Sequence, residues 1–239
     1  MAPTILPAAQ VEQLDFSEAV TVAVGDGDSK QQFLLHKNII SRHSKFFRKA
    51  LSGNFFEAKK KSINVPEGDV ATFKLWIQWA YSGNIVLLSA SEQEHQNDDC
   101  ALARKRCGKL YVLADALEDT LCRNTVTDLL KKKLLLHHGP SAELCKIAYE
   151  HTPENSKLRK LCLDWLVINP SGTWLRDHRD RLPPALFADL AIEWGVVADD
   201  QSWAIDPFNA PKCKYHDHDT EVPACEEGPE ESPASNKTT

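Results

Sequence analysis

Four side chains near the C-terminal end could do chemistry together. Cys213, His216, His218 and Cys225 follow a Cys-x2-His-x-His-x6-Cys spacing, within 13 residues of a proline-rich stretch. Two thiolates and two imidazoles are a donor set that tetrahedral zinc accepts. The His-x-His spacing differs from that of an ordinary zinc finger and leaves no room for a helix between ligand pairs. Three readings stay open: a structural zinc site, a Cys213–Cys225 disulfide, and a chance cluster. A catalytic zinc is the least favoured, because four protein ligands close the coordination shell that catalysis needs open.

Other chemistry lacks its motif. The chain has no G-x-G-x-x-G, no Gly-x4-Gly-Lys-Ser/Thr, no G-x-S-x-G and no His-Glu-x-x-His. His36 has no acid, cysteine or second histidine beside it in sequence, so it reads as a packed histidine rather than a base. Lys59-Lys60-Lys61 and Lys131-Lys132-Lys133 read as solvated runs, because the whole chain carries a net charge of −6. That charge argues against nucleic acid as a partner. No apolar run approaches the roughly 20 residues of a membrane-spanning helix, and Met1–Gln10 lacks the features of a secretion signal. Seven scattered cysteines then point to reduced thiols and an intracellular protein of cytoplasm or nucleus.

The elements that must position these residues are legible in outline. A chain of 239 residues with 42% hydrophobic content holds an ample core. Residues 1–16 form a leader with a weak apolar pattern (Val11, Leu14, Phe16). The alternating run Val20-Thr21-Val22-Ala23-Val24 predicts a strand over about 19–24, with partners near 32–36 and 62–65. A helix follows Ser44, with Phe46 read as core and Phe47 as helix surface. Another runs from Asp69 to about Tyr81 and is ended by Gly83, with Val70, Phe73, Trp76, Ile77 and Ala80 on one side and Trp79 on the same logic. The polar stretch 89–99 is a loop. Beyond it, helices are predicted over about 100–116 (Leu102, Leu110, Leu113 and Leu117 inward), 119–135 and 141–151. A stripe of Leu158, Leu161, Cys162, Trp165 and Leu166 defines another. A last one follows Pro183-Pro184, with Phe187, Leu190, Ala191 and Trp194 inward.

Several of these segments, taken in order, resemble one known family. Val20–Gly25, Phe33-Leu34-Leu35-His36-Lys37, Ile39–Phe47, Trp79-Ala80-Tyr81-Ser82-Gly83 and Tyr111–Leu117 are similar to the motifs of the BTB/POZ domain. The resemblance implies an α+β fold, with a small mixed sheet wrapped by helices over residues 17–135. An all-helical C-terminal half follows, with a helical extension over 136–200, the Cys/His-containing segment over 201–225 and a disordered acidic tail over 226–239. The C-terminal style is similar to that of fungal members. The implied function is a protein–protein interaction module, not an enzyme: a scaffold, dimerisation or adaptor domain, with a homodimer partner or a cullin-type ubiquitin ligase scaffold. The alternative is a small metal-dependent hydrolase built on the Cys/His cluster. Lys37, Phe46, Phe47, Phe55, Phe56, Leu87 and Leu88 are the interaction candidates, and no cofactor beyond a structural zinc is expected.

The chain departs from the family pattern at three places. Ala19, with Glu18 beside it, stands where many members carry an aspartate facing the basic residue after the histidine. The turn from Gly25 to Gln32 is long. Ala90-Ser91-Glu92 lacks the large apolar residue of the cullin-contact motif.

Overall fold

The computed structural model describes residues 16–52, 62–65, 68–88, 101–134, 139–200 and 206–225. The chain divides into two compact units, Met1–Val126 and Thr127–Thr239. No helix among the described residues is long and apolar enough to cross a membrane.

The first unit is built on a three-stranded sheet in the order β2-β1-β3. β1 (Ala19–Val24) lies in the centre, antiparallel to β2 (Gln31–His36) and parallel to β3 (Ser62–Val65). Its β-branched residues suit a pleated, mostly buried position, and Val20, Val22 and Val24 are buried. β2 is an outer strand that buries Leu35 and leaves Gln31, Gln32 and Leu34 exposed. All three strands match the sequence expectation to within a residue.

Two short helices follow β2: α1 (Lys37–His43) and α2 (Lys45–Leu51). Ser44 joins them. Its hydroxyl accepts from the Phe47 amide at 3.1 Å and donates to the Leu117 carbonyl at 2.6 Å, so a buried polar residue is satisfied on both sides. α3 (Val70–Ser82) starts at an Asp69 cap, whose carboxylate accepts from the Ala71 amide at 3.0 Å. It stops at Gly83, whose φ of 67° is the left-handed cap conformation that glycine takes most cheaply. α4 (Ala101–Ala116) packs on α3. α5 (Thr120–Leu129) continues into a wider turn over Leu130–Leu134, and the division between units falls inside it.

The aromatic residues of the first unit form one cluster. Phe33 meets Phe73 at 5.3 Å between ring centroids, Phe73 stacks on Trp76 at 5.5 Å, and Phe47 lies 5.4 Å from Trp76. Two inward assignments change here. Phe47 is fully buried, whereas Phe46 is half-buried, the reverse of the expected pair. In a helix of only seven residues, the pair Phe47 and Leu51 forms the buried stripe. Leu102 is exposed, because the inward stripe of α4 runs through Ala103, Cys107, Leu110 and Ala114.

The second unit is helical: α6 (Ala142–His151), α7 (Lys157–Ile168), α8 (Gly172–His178) and α9 (Pro184–Asp200). Arg159 on α7 closes the end of α6, its guanidinium donating to the carbonyls of Ala148, Tyr149 and Thr152. Tyr149 donates its hydroxyl to Asp189 at 2.9 Å, tying α6 to α9. α9 buries Leu186 and Leu190, with Leu182 just before it, while Ala191 is exposed. The short α8 has no buried residue, so it carries no apolar stripe by which sequence could reveal it.

Candidate functional site

Register determines the first polar feature. Ala19 pairs with His36, so the next pair outward is Glu18 with Lys37. The Lys37 amide donates to the Glu18 carbonyl at 2.9 Å, and its ammonium meets the Glu18 carboxylate at 2.9 Å. The acidic partner expected at position 19 is therefore present one residue earlier. A cavity lined by Glu18, Lys37, Asn38 and Ser41 opens beside this pair. Both charged side chains are about half exposed, so the pair orients more than it stabilises.

His36 is a packed side chain. Its ring lies edge-on to Phe16 at 5.0 Å, and its Nδ1 is 3.0 Å from the Tyr81 hydroxyl, which also accepts from the His36 amide at 3.0 Å. Strand alternation puts Leu34 on the same face as His36. Leu34 is 73% exposed and Phe16 54% exposed. The outer face of β2 thus presents apolar groups around one held histidine.

The other interaction candidates divide. Phe46, Leu87 and Leu88 are half-buried. Phe47 is unavailable to any partner because it fills the core. Phe55 and Phe56, Ala90-Ser91-Glu92, Lys59–Lys61, most of the 1–16 leader and the 226–239 tail lie outside the described residues.

One residue that the sequence did not single out sits at the heart of the first unit. Asp119 is fully buried and accepts from the indoles of Trp76 at 3.0 Å and Trp79 at 3.3 Å, and from the Cys122 amide at 2.9 Å. Burial pushes its carboxyl above the usual range even though all these donors favour the charged form. His43 is held below its ordinary value by burial, against the opposing pull of Asp119. These groups tie α3 to the start of α5.

In the second unit, the Cys/His segment is anchored before its ligands begin. Tyr215 is buried, donates to Asp164 at 2.9 Å, and accepts at its carbonyl from Thr127 at 3.1 Å. Lys131 donates to the Ala210 carbonyl at 2.6 Å. Beyond the anchor, Asp219 folds a turn, its carboxylate accepting from the amides of Glu221 at 2.8 Å and Val222 at 2.9 Å. The turn brings Cys225 back. One ligand atom each from Cys213, His218 and Cys225 lie within 4.8 Å of one another. His216 joins from the side: Nδ1 is 3.1 Å from the Cys225 sulfur, and Nε2 is 3.0 Å from an Asp128 carboxylate oxygen. Three of the four predicted residues therefore converge, the fourth, His216, touches Cys225, and Asp128 adds a partner that spacing alone did not suggest.

A mixed sheet of this order with flanking helices, together with a family model that matches residues 10–125, makes the first half of the chain a BTB/POZ domain, a class that mediates protein–protein interaction. Among characterised proteins, the chain is 21% identical over 152 residues to Kelch repeat and BTB domain-containing protein 7 of Homo sapiens. The match covers 64% of this chain but only 19% of that protein, so the chain spans about a fifth of its relative's length.

Proposed function

We propose that this chain acts without catalysis, as a BTB/POZ docking module whose first partner is a second copy of itself. The observation that carries this reading is the outer face of β2, where Leu34 and Phe16 stand exposed around a histidine held by Tyr81. An outer strand with apolar side chains is a surface that another chain covers readily. A two-fold partner would lay the same face against it, with Glu18 and Lys37 at the rim. Affinity then comes from a few buried anchors, each worth roughly 2 kcal/mol or more when truncated.

An adaptor role toward a cullin-type ubiquitin ligase is the second form of this function. The domain class and the Kelch/BTB relative support it; the small Ala90 at the contact motif weighs against it. The hydrolase alternative has less support, because four ligands close a zinc shell and the nearby Asp128 is engaged by His216. The reading includes an intracellular site of action, which the free buried thiols of Cys107, Cys122, Cys145 and Cys162 support. Sedimentation of the purified chain, with and without a purified cullin scaffold, tests both forms. A stable dimer supports the first. A complex with the cullin supports the second. A monomer that ignores both contradicts the proposal.

A further inference from the structure

We propose that Cys213, His216, His218 and Cys225 bind one zinc(II) ion that clips the C-terminal segment onto the helical unit, with Asp128 as the positioning carboxylate.

The donor set comes first. Zinc–sulfur bonds of about 2.3 Å and zinc–nitrogen bonds of about 2.0–2.1 Å place tetrahedral ligand atoms roughly 3.4–3.8 Å apart. Here the atoms of Cys213, His218 and Cys225 already lie within 4.8 Å of one another, and the Cys225 sulfur is 4.0 Å from His218 Nε2. The fourth donor, His216 Nδ1, is 3.1 Å from the same sulfur. His216 stands outside the group of three whose atoms lie mutually within 4.8 Å, so binding the ion requires its ring to close on Cys213 and His218 from the Cys225 side. Two thiolates and two neutral imidazoles balance the charge of the ion, so the site needs no further acidic ligand. Binding releases one proton from each thiol.

His216 supplies the second, independent observation. It is buried, at 8% exposure, and Asp128 accepts from its Nε2 side. In a neutral ring, an Nε2–H given to the Asp128 carboxylate leaves Nδ1, the nitrogen beside Cys225, as the one able to ligate a metal. A carboxylate bonded to the far nitrogen is the usual orienting device for a metal-bound histidine. A chance cluster has no reason to contain it.

The scaffold around the ligands is equally specific. Tyr215 immobilises the backbone immediately before His216, and the Asp219 turn returns the chain to Cys225. The ion would join the two ends of this loop and, through His216 and Asp128, fasten it to α5. The role is a structural clip, because every coordination position is taken by protein.

Metal content and cobalt substitution of the whole chain test this. The purified protein is expected to carry about one zinc, to lose it to a chelator, and to gain two alkylatable thiols on losing it. Cobalt(II) added to the stripped protein is expected to give the intense visible bands of a tetrahedral thiolate site. Cys225→Ser should abolish those bands, and His216→Gln should weaken them or change their shape. Asp128→Asn should loosen metal binding by about 10–100-fold while leaving the spectrum's form intact. Reduced wild-type protein that takes up neither zinc nor cobalt would overturn the proposal, whether or not the variants fold. So would a Cys213–Cys225 disulfide that forms and persists with zinc in excess, or a cobalt spectrum unchanged by loss of both histidines.

Discussion

The indole N–H of Trp76 donates to the buried carboxylate of Asp119 at 3.0 Å, across 43 positions of sequence. Trp79, one helical turn on, donates to the same oxygen at 3.3 Å. A single acidic side chain at the start of α5 thereby fixes two large aromatic residues of α3. Removing it strands two indole donors in a dry interior.

Asp119→Ala is therefore expected to destabilise the first unit by about 3 kcal/mol, and Asp119→Asn, which keeps an acceptor, by clearly less. Urea unfolding followed by tryptophan fluorescence measures both. Equal losses for the two variants would mean that one retained acceptor is not enough, and that the charge or the second carboxylate oxygen, which accepts from the Cys122 amide, is what matters there.

Stability should fall on mild acidification. Burial holds His43 below its ordinary value, beside Asp119 and Arg42 and against the Ala80 carbonyl. The folded chain thus binds this proton less readily than the unfolded one. Its contribution is complete above the ordinary imidazole range, near about 6.5, and declines as pH drops through and below it. Asp119, raised by burial, works in the opposite sense in the carboxylate range. The quantity to read is therefore the difference between wild type and His43→Gln in the urea midpoint between neutral and mildly acid pH. A flatter profile for the variant is expected.

Two glycines with left-handed backbone should respond differently to alanine. Gly83 has open space where a Cβ would go, so Gly83→Ala carries only the conformational penalty of about 1 kcal/mol. Gly139 has a φ of 66°, and a Cβ there would press into the Trp165 ring. Gly139→Ala should lose at least about 2 kcal/mol more than Gly83→Ala. Comparable melting temperatures for the two variants would refute the steric account.

Thiol reactivity should sort the cysteines by place. Burial pushes up the thiols of Cys107 and Cys122, and a hydrogen bond with Cys145 together with burial pushes up that of Cys162. Alkylation of the folded, metal-stripped protein with peptide mapping should modify Cys213 and Cys225, both half-exposed, well before those three. Early modification of Cys107 would show that the first unit opens far more easily than its packing implies.

The sheet and the long helices were readable because their signals are local. The β-branched run at 20–24, the Asp69 cap and the Gly83 stop each specify an element within a few residues. The four metal candidates were readable for the same reason: one short segment carries them all. What escaped the sequence depends on pairing across the chain. The Glu18–Lys37 pair follows from strand register, which one residue of slippage would have moved to Ala19. Asp119 and Asp128 look like ordinary surface acids until α3 and His216 arrive beside them. Phe46 and Phe47 exchanged places because seven residues of helix do not fix a phase.

The measurement that bears most directly on the docking reading is the solution mass of the purified chain at tens of micromolar, by sedimentation equilibrium, beside that of Leu34→Asp. Leu34 is 73% exposed, so the substitution leaves the fold intact while placing a charge in the proposed interface. A dimer for wild type and a folded monomer for Leu34→Asp is the predicted result. Wild-type protein that stays monomeric across that range, or a dimer that Leu34→Asp leaves untouched, would contradict it.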